Sequence, residues 1–222
     1  PPLCSITDAA APHSVLDQAL AAARGGAGWV QLRDKTLPDA EFARLARELR
    51  AALAPEGVQL ILNDRVEVAI ALGAFGLHVG QGDGDPAEIR RRIGPRMVLG
   101  LSVETPEQLA PVPEGVDYLG VGPVHATGSK PDAAAPIGIA GFAAIAAQTR
   151  LPCMAIGGLS ARDATPIRAA GGAGLALVRT DRLAKALAEG AALTCKGEPV
   201  TFDLPDWARA EIDAVASETT DE

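Results

Sequence analysis

Residues 59–83, QLILNDRVEVAIALGAFGLHVGQGD, decide the fold. They hold two short apolar runs, 60–62 and 76–79, which stop at Asn63-Asp64-Arg65 and at Gly80-Gln81-Gly82-Asp83. Short apolar runs between turn residues read as buried strands. The segment between them, 66–72, suffices for two helical turns. The unit is therefore strand–helix–strand, with a carboxylate just past the C-terminal end of each strand. Ligands bind at that end in parallel α/β folds.

The same rhythm continues on both sides. Residues 3–7, 29–33, 98–103, 118–124, 153–156 and 175–178 are further apolar runs that read as strands. Helices are predicted over 13–24, 39–53, 86–93, 106–109, 139–149, 163–170 and 181–189, most of them bounded by Gly, Pro or Asp. Eight strands, each followed by a helix, predict an α/β fold of the (β/α)8 TIM-barrel type. A doubly wound sheet is the alternative, but no G-x-G-x-x-G follows an early strand. No linker interrupts the series, so residues 1–190 form a single barrel domain. Residues 191–222 form a C-terminal extension, partly helical or disordered, with an amphipathic helix predicted over 204–215.

Bulk composition narrows the function. A chain of 222 residues with 48% hydrophobic content builds a sizeable core, and 3% aromatics predict that this core is aliphatic. The net charge of −8 and a pI near 4.9 argue against nucleic-acid and anionic-membrane partners. No apolar run approaches the ~20 residues of a membrane span. The three cysteines, Cys4, Cys153 and Cys195, are widely spaced and form no Cys-x-x-Cys. A disulfide framework is not expected, and a reducing cytoplasm fits best. Pro1-Pro2-Leu3 carries no basic region, so no signal peptide is expected; the abrupt start leaves room for residues upstream.

The chemistry-bearing residues cluster past the strands. Strand two supplies Gln31, Arg33 and Lys35, which share one face while the chain stays extended. Two cations inside a barrel are costly unless they meet an anion; a frayed, solvated strand end is the alternative. Strands three and four supply Asn63, Asp64 and Asp83. Two carboxylates at neighbouring strand ends suit Mg²⁺, which takes one or two carboxylates plus phosphate oxygens. The alternatives are a helix cap for Asp64 and turn chemistry for Asp83. His78 reads as a satisfied core histidine, and Ser102 as either a substrate ligand or a turn cap. Thr127-Gly128-Ser129-Lys130 reads as a phosphate cradle or a solvent loop. Gly157-Gly158 and Val178-Arg179 follow strands seven and eight, whose loops commonly hold phosphate in barrels. No cysteine has an evident His or Asp partner, and no H-E-x-x-H or P-loop is present. The set suggests two phosphorylated ligands, one of them metal-chelated.

The motifs Gln31-Leu32-Arg33-Asp34-Lys35, Leu62-Asn63-Asp64-Arg65, Gly76-Leu77-His78-Val79-Gly80-Gln81-Gly82-Asp83, Gly100-Leu101-Ser102, Gly120-Val121-Gly122-Pro123 and Ala155-Ile156-Gly157-Gly158 occur in one order, with Thr127 to Lys130 between the last two. In that order the chain resembles the thiamine phosphate synthase family over residues 3–180. The resemblance implies a TIM barrel that joins hydroxymethylpyrimidine pyrophosphate to a thiazole phosphate, with small phosphorylated substrates as its partners and Mg²⁺ as its cofactor. It implies that Gln31, Arg33, Lys35, Asn63, Ser102 and Lys130 hold the pyrimidine pyrophosphate, with Arg33, Lys35 and Lys130 neutralising the departing charge. It assigns Asp64 and Asp83 to the metal, and Thr127, Gly128, Ser129, Gly158, Val178 and Arg179 to the thiazole phosphate. A homo-oligomer is left open. Three residues depart from the family pattern. Ser129 replaces a usual Thr, His125 a bulky apolar or aromatic residue, and Arg179 a common Ser. Arg179 either adds a bidentate phosphate contact or fills the site. A thiazole tautomerase-like protein and a non-catalytic phosphate-ligand-binding module are the other readings.

Overall fold

The computed structural model describes residues 3–128 and 134–178, together with the pairs 194–195 and 198–199. Its eight parallel strands are β1 (Leu3–Ile6), β2 (Trp29–Leu32), β3 (Gln59–Asn63), β4 (Gly76–Val79), β5 (Val98–Val103), β6 (Tyr118–Val121), β7 (Cys153–Ile156) and β8 (Gly174–Val178). They are hydrogen-bonded in sequence order, and β8 pairs with β1 to close the barrel. The helices are α1 (Val15–Arg24), α2 (Asp39–Leu53), α3 (Val66–Leu72), α4 (Pro86–Ile93), α5 (Gly138–Ala146) and α6 (Ala164–Ala169).

Local signals explain the helix ends. Ser14 caps α1 by accepting the Asp17 N–H, and Asp85 caps α4 by accepting that of Ala87, with Pro86 at the first helical position. Gly73 stops α3 at φ 55°, a left-handed conformation that glycine adopts without steric cost. Helix α2 turns Phe42, Ala46, Leu49 and Leu53 inward, and all four are buried. Burying each large apolar side chain contributes about 1.5–3 kcal/mol.

Alternation along the strands makes two cores. Outward-facing Val30, Leu32, Leu62, Leu77, Leu99 and Leu119 pack with the helices. Inward-facing Cys4, Ile6, Tyr118, Met154 and Ala176 pack with Trp29, Val98, Ile156 and Val178. The outer core is aliphatic apart from Phe42 and Phe142, as the composition predicts. The interior departs from that expectation, because the Trp29 and Tyr118 rings meet there with centroids 5.3 Å apart.

Several predicted elements differ in kind or in length, α5 among them, which ends at Ala146 rather than at residue 149. Residues 106–109 form a 3-10 turn rather than an α-helix. The helix expected over 163–170 is a 3-10 turn, Ala161–Asp163, followed by α6. Strand β6 ends at Val121 rather than at residue 124; Gly122-Pro123 follows, and proline has no N–H to give a ladder. Thr194–Cys195 and Glu198–Pro199 form a short antiparallel pair where no strand is expected. The helices predicted over 181–189 and 204–215 lie outside the described residues, as does most of the extension. Among the described residues, no helix is long and apolar enough to cross a membrane.

Candidate functional site

The barrel lifts one polar group after another to its C-terminal mouth. Asn63 on β3 stands level with His78 on β4, and Ser102 on β5 with Gly120 on β6. Gln31 is buried, and its amide N–H donates to Asn63 Oδ1 at 3.1 Å. A cavity of about 110 Å³ opens here, lined by Ile6, Arg33, Ser102, Thr127, Gly157 and Val178 among others. A larger cavity of about 190 Å³ lies against α2 and β3, around Ala46, Arg50, Leu60 and Phe75. It contains none of the polar residues of the strand ends, so chemistry rather than size selects the mouth.

The strand-two reading needs one correction. Gln31 and Arg33 bracket the end of β2, but the strand stops at Leu32, so Lys35 belongs to a turn rather than to an extended face. Asp34 makes that turn. Its Oδ1 accepts the Thr36 N–H at 2.7 Å, the Thr36 hydroxyl at 2.7 Å and the Leu37 N–H at 2.9 Å. Burial alone would raise the Asp34 carboxyl. The Thr36 hydroxyl, the two backbone N–H groups and the nearby Arg65 charge outweigh it and hold the group below the usual carboxylate range. Arg65 clamps the same turn, donating to Asp34 O at 3.2 Å and Leu37 O at 3.0 Å while lying over the Phe42 ring.

The turn delivers Lys35 Nζ to 3.3 Å from Asp64 Oδ2. Asp64 is not the helix cap that its position allows. Arg65 occupies the cap of α3, and no side-chain cap bond forms there. Asp64 sits at φ 55°, the one non-glycine residue with positive φ among those described. Aspartate tolerates that conformation better than most L-residues, so the cost is at the low end, about 1 kcal/mol. Its carboxylate pairs with the half-exposed Lys35 and lies 3.4 Å from Arg65 Nε, and such pairs each return at most about 1 kcal/mol.

Asp83 Oδ2 accepts the Gly80 N–H at 2.7 Å, the turn bond that the sequence allows. Asp64 and Asp83 thus follow neighbouring strands, one facing Lys35 and the other fixed through one oxygen. No group of three or more His, Cys, Asp or Glu able to hold a metal occurs among the described residues. A two-carboxylate donor set suits a hard cation that keeps water and phosphate oxygens for its other positions, so these residues fit Mg²⁺.

His78 is the satisfied core histidine that the sequence suggests. Its Nδ1 lies 2.9 Å from the Tyr118 hydroxyl and its Nε2 3.0 Å from Ser102 Oγ. Burial lowers it to about 4, partly opposed by Asp83, so the ring is neutral at pH 7. Burial also pushes the Tyr118 phenol well above its ordinary value. Ser102 therefore joins both layers: its hydroxyl ends the internal network and its side of β5 lines the cavity.

On the far side of the mouth, Thr127 lines the cavity and Gly128 is exposed. Ser129, Lys130 and Arg179 lie outside the described residues. Gly157 and Gly158 have φ 91° and 65°. A Cβ at Gly158 would stand 2.5 Å from Ala126 O and 2.7 Å from His125 Cβ. Packing of the two loops thus demands a glycine there, independently of any phosphate. Val178, at the end of β8, lines the cavity as expected. Cys4 and Cys153 are buried, with thiols pushed up to about 12 and about 11, so neither is a nucleophile.

Sequence reasoning overlooked Asp34, Arg65, Glu104 and Tyr118. Asp34 and Arg65 lie inside motifs already singled out, but their contacts are 28 and 31 residues apart for the Arg65 bonds and leave no local spacing. Glu104 lines the cavity just after β5, a position that could have drawn attention.

A closed parallel barrel with hydroxyls, cations and paired carboxylates at its C-terminal mouth defines a class: a (β/α)8-barrel protein with a site suited to phosphorylated small molecules. The comparisons narrow this. The family model described as thiamine monophosphate synthase matches residues 3–180. Thiamine-phosphate synthase of Azorhizobium caulinodans is 46% identical over 169 residues, covering 76% of this chain and 80% of that protein. That of Xanthobacter autotrophicus is 49% identical over 169 residues, with the same shares. The solved thiamine phosphate pyrophosphorylase from Pyrococcus furiosus superposes with a TM-score of 0.71 at 27% identity, covering 96% of each chain. The chain belongs to the thiamine monophosphate synthase family. A second model, of the CAF17 C-terminal β-barrel domain, matches residues 163–210; the described residues 163–178 of that match supply α6 and β8 of the barrel.

Proposed function

We propose that this chain couples hydroxymethylpyrimidine pyrophosphate to 4-methyl-5-hydroxyethylthiazole phosphate, releasing pyrophosphate and forming thiamine phosphate. The observation that carries the reading is the Lys35–Asp64 pair, with Asp64 in a strained conformation, beside the Gln31–Asn63 amide pair. Gln31, Asn63, Lys35 and Asp64 end or follow neighbouring strands, and Arg33, Ser102 and Thr127 line a cavity of the same barrel, which supports the reading.

In this reading Gln31, Asn63 and Ser102 orient the pyrimidine half, while Arg33, Lys35 and Lys130 face the pyrophosphate. Asp64 and Asp83 hold Mg²⁺, which when bound screens the pyrophosphate charge and eases its departure. The bond between the pyrimidine methylene carbon and the pyrophosphate oxygen breaks, and the oxygen keeps the electron pair. The methylene carbon becomes cationic, and the thiazole nitrogen lone pair forms the new carbon–nitrogen bond. No proton must move and no protein nucleophile is needed, in keeping with buried, protonated Cys4 and Cys153. Arg33, Lys35 and Lys130 stabilise charge that grows during bond breaking, so their contribution falls on the rate. Thr127 to Ser129, Gly158, Val178 and Arg179 hold the second substrate in line with the first. The buried thiols and phosphorylated substrates suit a cytoplasmic enzyme.

Incubation with both substrates and Mg²⁺ tests this directly. Thiamine phosphate and pyrophosphate should appear in equal amounts. Absence of product at micromolar enzyme overturns the assignment.

A further inference from the structure

His125 and Asp163 take no part in the chemistry above, yet they join two loops of the mouth. Backbone pairing between the two segments continues past β6 and off the end of β7: the Val124 N–H donates to Ile156 O at 2.8 Å and the His125 N–H to Gly157 O at 3.0 Å. Beyond these bonds a side-chain contact takes over. His125 Nε2 lies 2.7 Å from Asp163 Oδ1, across 38 residues of chain. Asp163 Oδ2 in turn accepts the Ser160 N–H at 2.7 Å and the Ser160 hydroxyl at 3.1 Å. Burial would raise the Asp163 carboxyl, but the Ser160 N–H, the His125 ring and the Ser160 hydroxyl hold it below the usual range. The carboxylate is therefore anionic and anchored in the loop after β7, while the imidazole belongs to the loop after β6.

The loops are also in direct contact, because a side chain at Gly158 would collide with Ala126 and His125. Thr127, two residues past His125, and Gly157 both line the cavity, whereas His125 and Asp163 do not. The side chain of His125 is 42% exposed, so the pair adds little stability by itself. What it can do is fix the separation of the two loops.

We propose that His125 and Asp163 form a latch between the loops after β6 and β7, making His125 a positioning residue for the thiazole phosphate. The inference rests on the synthase reading above. Its effect is larger on the thiazole phosphate, because Gln31, Arg33, Lys35, Asn63 and Ser102 come from β2 to β5 and, of the groups assigned to the pyrimidine pyrophosphate, Lys130 alone follows β6.

The test compares His125→Phe, His125→Gln, Asp163→Asn and the double variant His125→Phe/Asp163→Asn. Steady-state kinetics gives KM for each substrate, and calorimetry gives Kd for thiazole phosphate. Losing this partly exposed pair should raise KM and Kd for thiazole phosphate about threefold to fivefold in His125→Phe and Asp163→Asn, with smaller changes in kcat and the other KM. His125→Gln, whose amide N–H reaches about as far as imidazole Nε2, should recover most of the loss. The double variant should be no worse than either single change. Unchanged thiazole phosphate binding in His125→Phe, or equal weakening for both substrates, overturns the latch. A wild-type protein that makes no thiamine phosphate, yet loses thiazole phosphate affinity on His125→Phe, overturns only the synthase reading. A wild-type protein that binds no thiazole phosphate overturns both.

Discussion

The interior around His78 and the mouth around Asp64 lie on adjacent strands, and they are built on opposite principles. In the interior neutral groups pair with one another: Tyr118, His78 and Ser102 form one hydrogen-bonded chain. Glycines make room for it. A Cβ at Gly100 would overlap the Tyr118 ring, and one at Gly120 would stand 2.9 Å from His78 Cε1. At the mouth the groups are charged and their pairing is loose. Lys35 is half exposed, Asp64 is strained, and Arg65 Nε lies 3.4 Å from Asp64 Oδ1 without a hydrogen bond to any described residue. A satisfied network resists change and rigidifies a barrel. A charged, strained one keeps interactions in reserve for a ligand.

The contrast predicts which substitutions harm activity and which harm stability. Asp83→Asn keeps an oxygen for the Gly80 N–H and should fold normally. On the proposed reading, in which Asp83 holds the metal that neutralises pyrophosphate, its kcat/KM should nevertheless fall by about a hundredfold or more. Near-normal Mg²⁺-dependent turnover would remove Asp83 from the metal site. Gly100→Ala should do the reverse. Its methyl group forces Tyr118 and His78 apart, costing about 3 kcal/mol in urea unfolding. An unchanged unfolding midpoint would mean that the interior is not closely packed.

His78 sharpens the contrast through pH. Its folded value, about 4, lies below the ordinary 6.5, so the unfolded chain binds the proton first as pH falls. Its neutral state is fully compatible with folding above 6.5, and stability is lost as pH drops towards 4. Between pH 7 and pH 5 this single group should remove about 2 kcal/mol, seen as a falling urea midpoint. His78→Asn should flatten that part of the profile. At the small end, the Arg91–Glu88 pair on α4 is exposed on both sides. Arg91→Ala should shift stability by no more than about 0.5 kcal/mol and leave turnover alone.

These two regions were not equally legible in the sequence. Strands β4, β5 and β7 and helices α2, α3 and α4 have the bounds that the pattern predicts, because Gly, Pro and Asp punctuate short apolar runs. His78 reads correctly as core because it lies within such a run. The Asn63-Asp64 pattern misleads, since Asn-Asp before a helix is ordinary capping chemistry and only the backbone reveals φ 55°. Lys35 shares a face with Gln31 and Arg33 while the chain stays extended, and the bonds of Asp34 turn the chain before it. The Arg65 clamp and the His125–Asp163 pair join residues some 30 to 40 positions apart, and no local periodicity records such contacts. The glycines at 100 and 120 are explained by the Tyr118 and His78 rings, which come from other strands of the barrel.

On the proposed reading, Asp64 and Asp83 make the mouth a site for metal-chelated pyrophosphate. Calorimetric titration of pyrophosphate, with and without Mg²⁺, tests it most directly in wild type and in Asp64→Asn. Wild type should bind pyrophosphate markedly tighter with Mg²⁺, and Asp64→Asn should lose that gain. Equal affinity with and without the metal in wild type, or an undiminished gain in the variant, would contradict it.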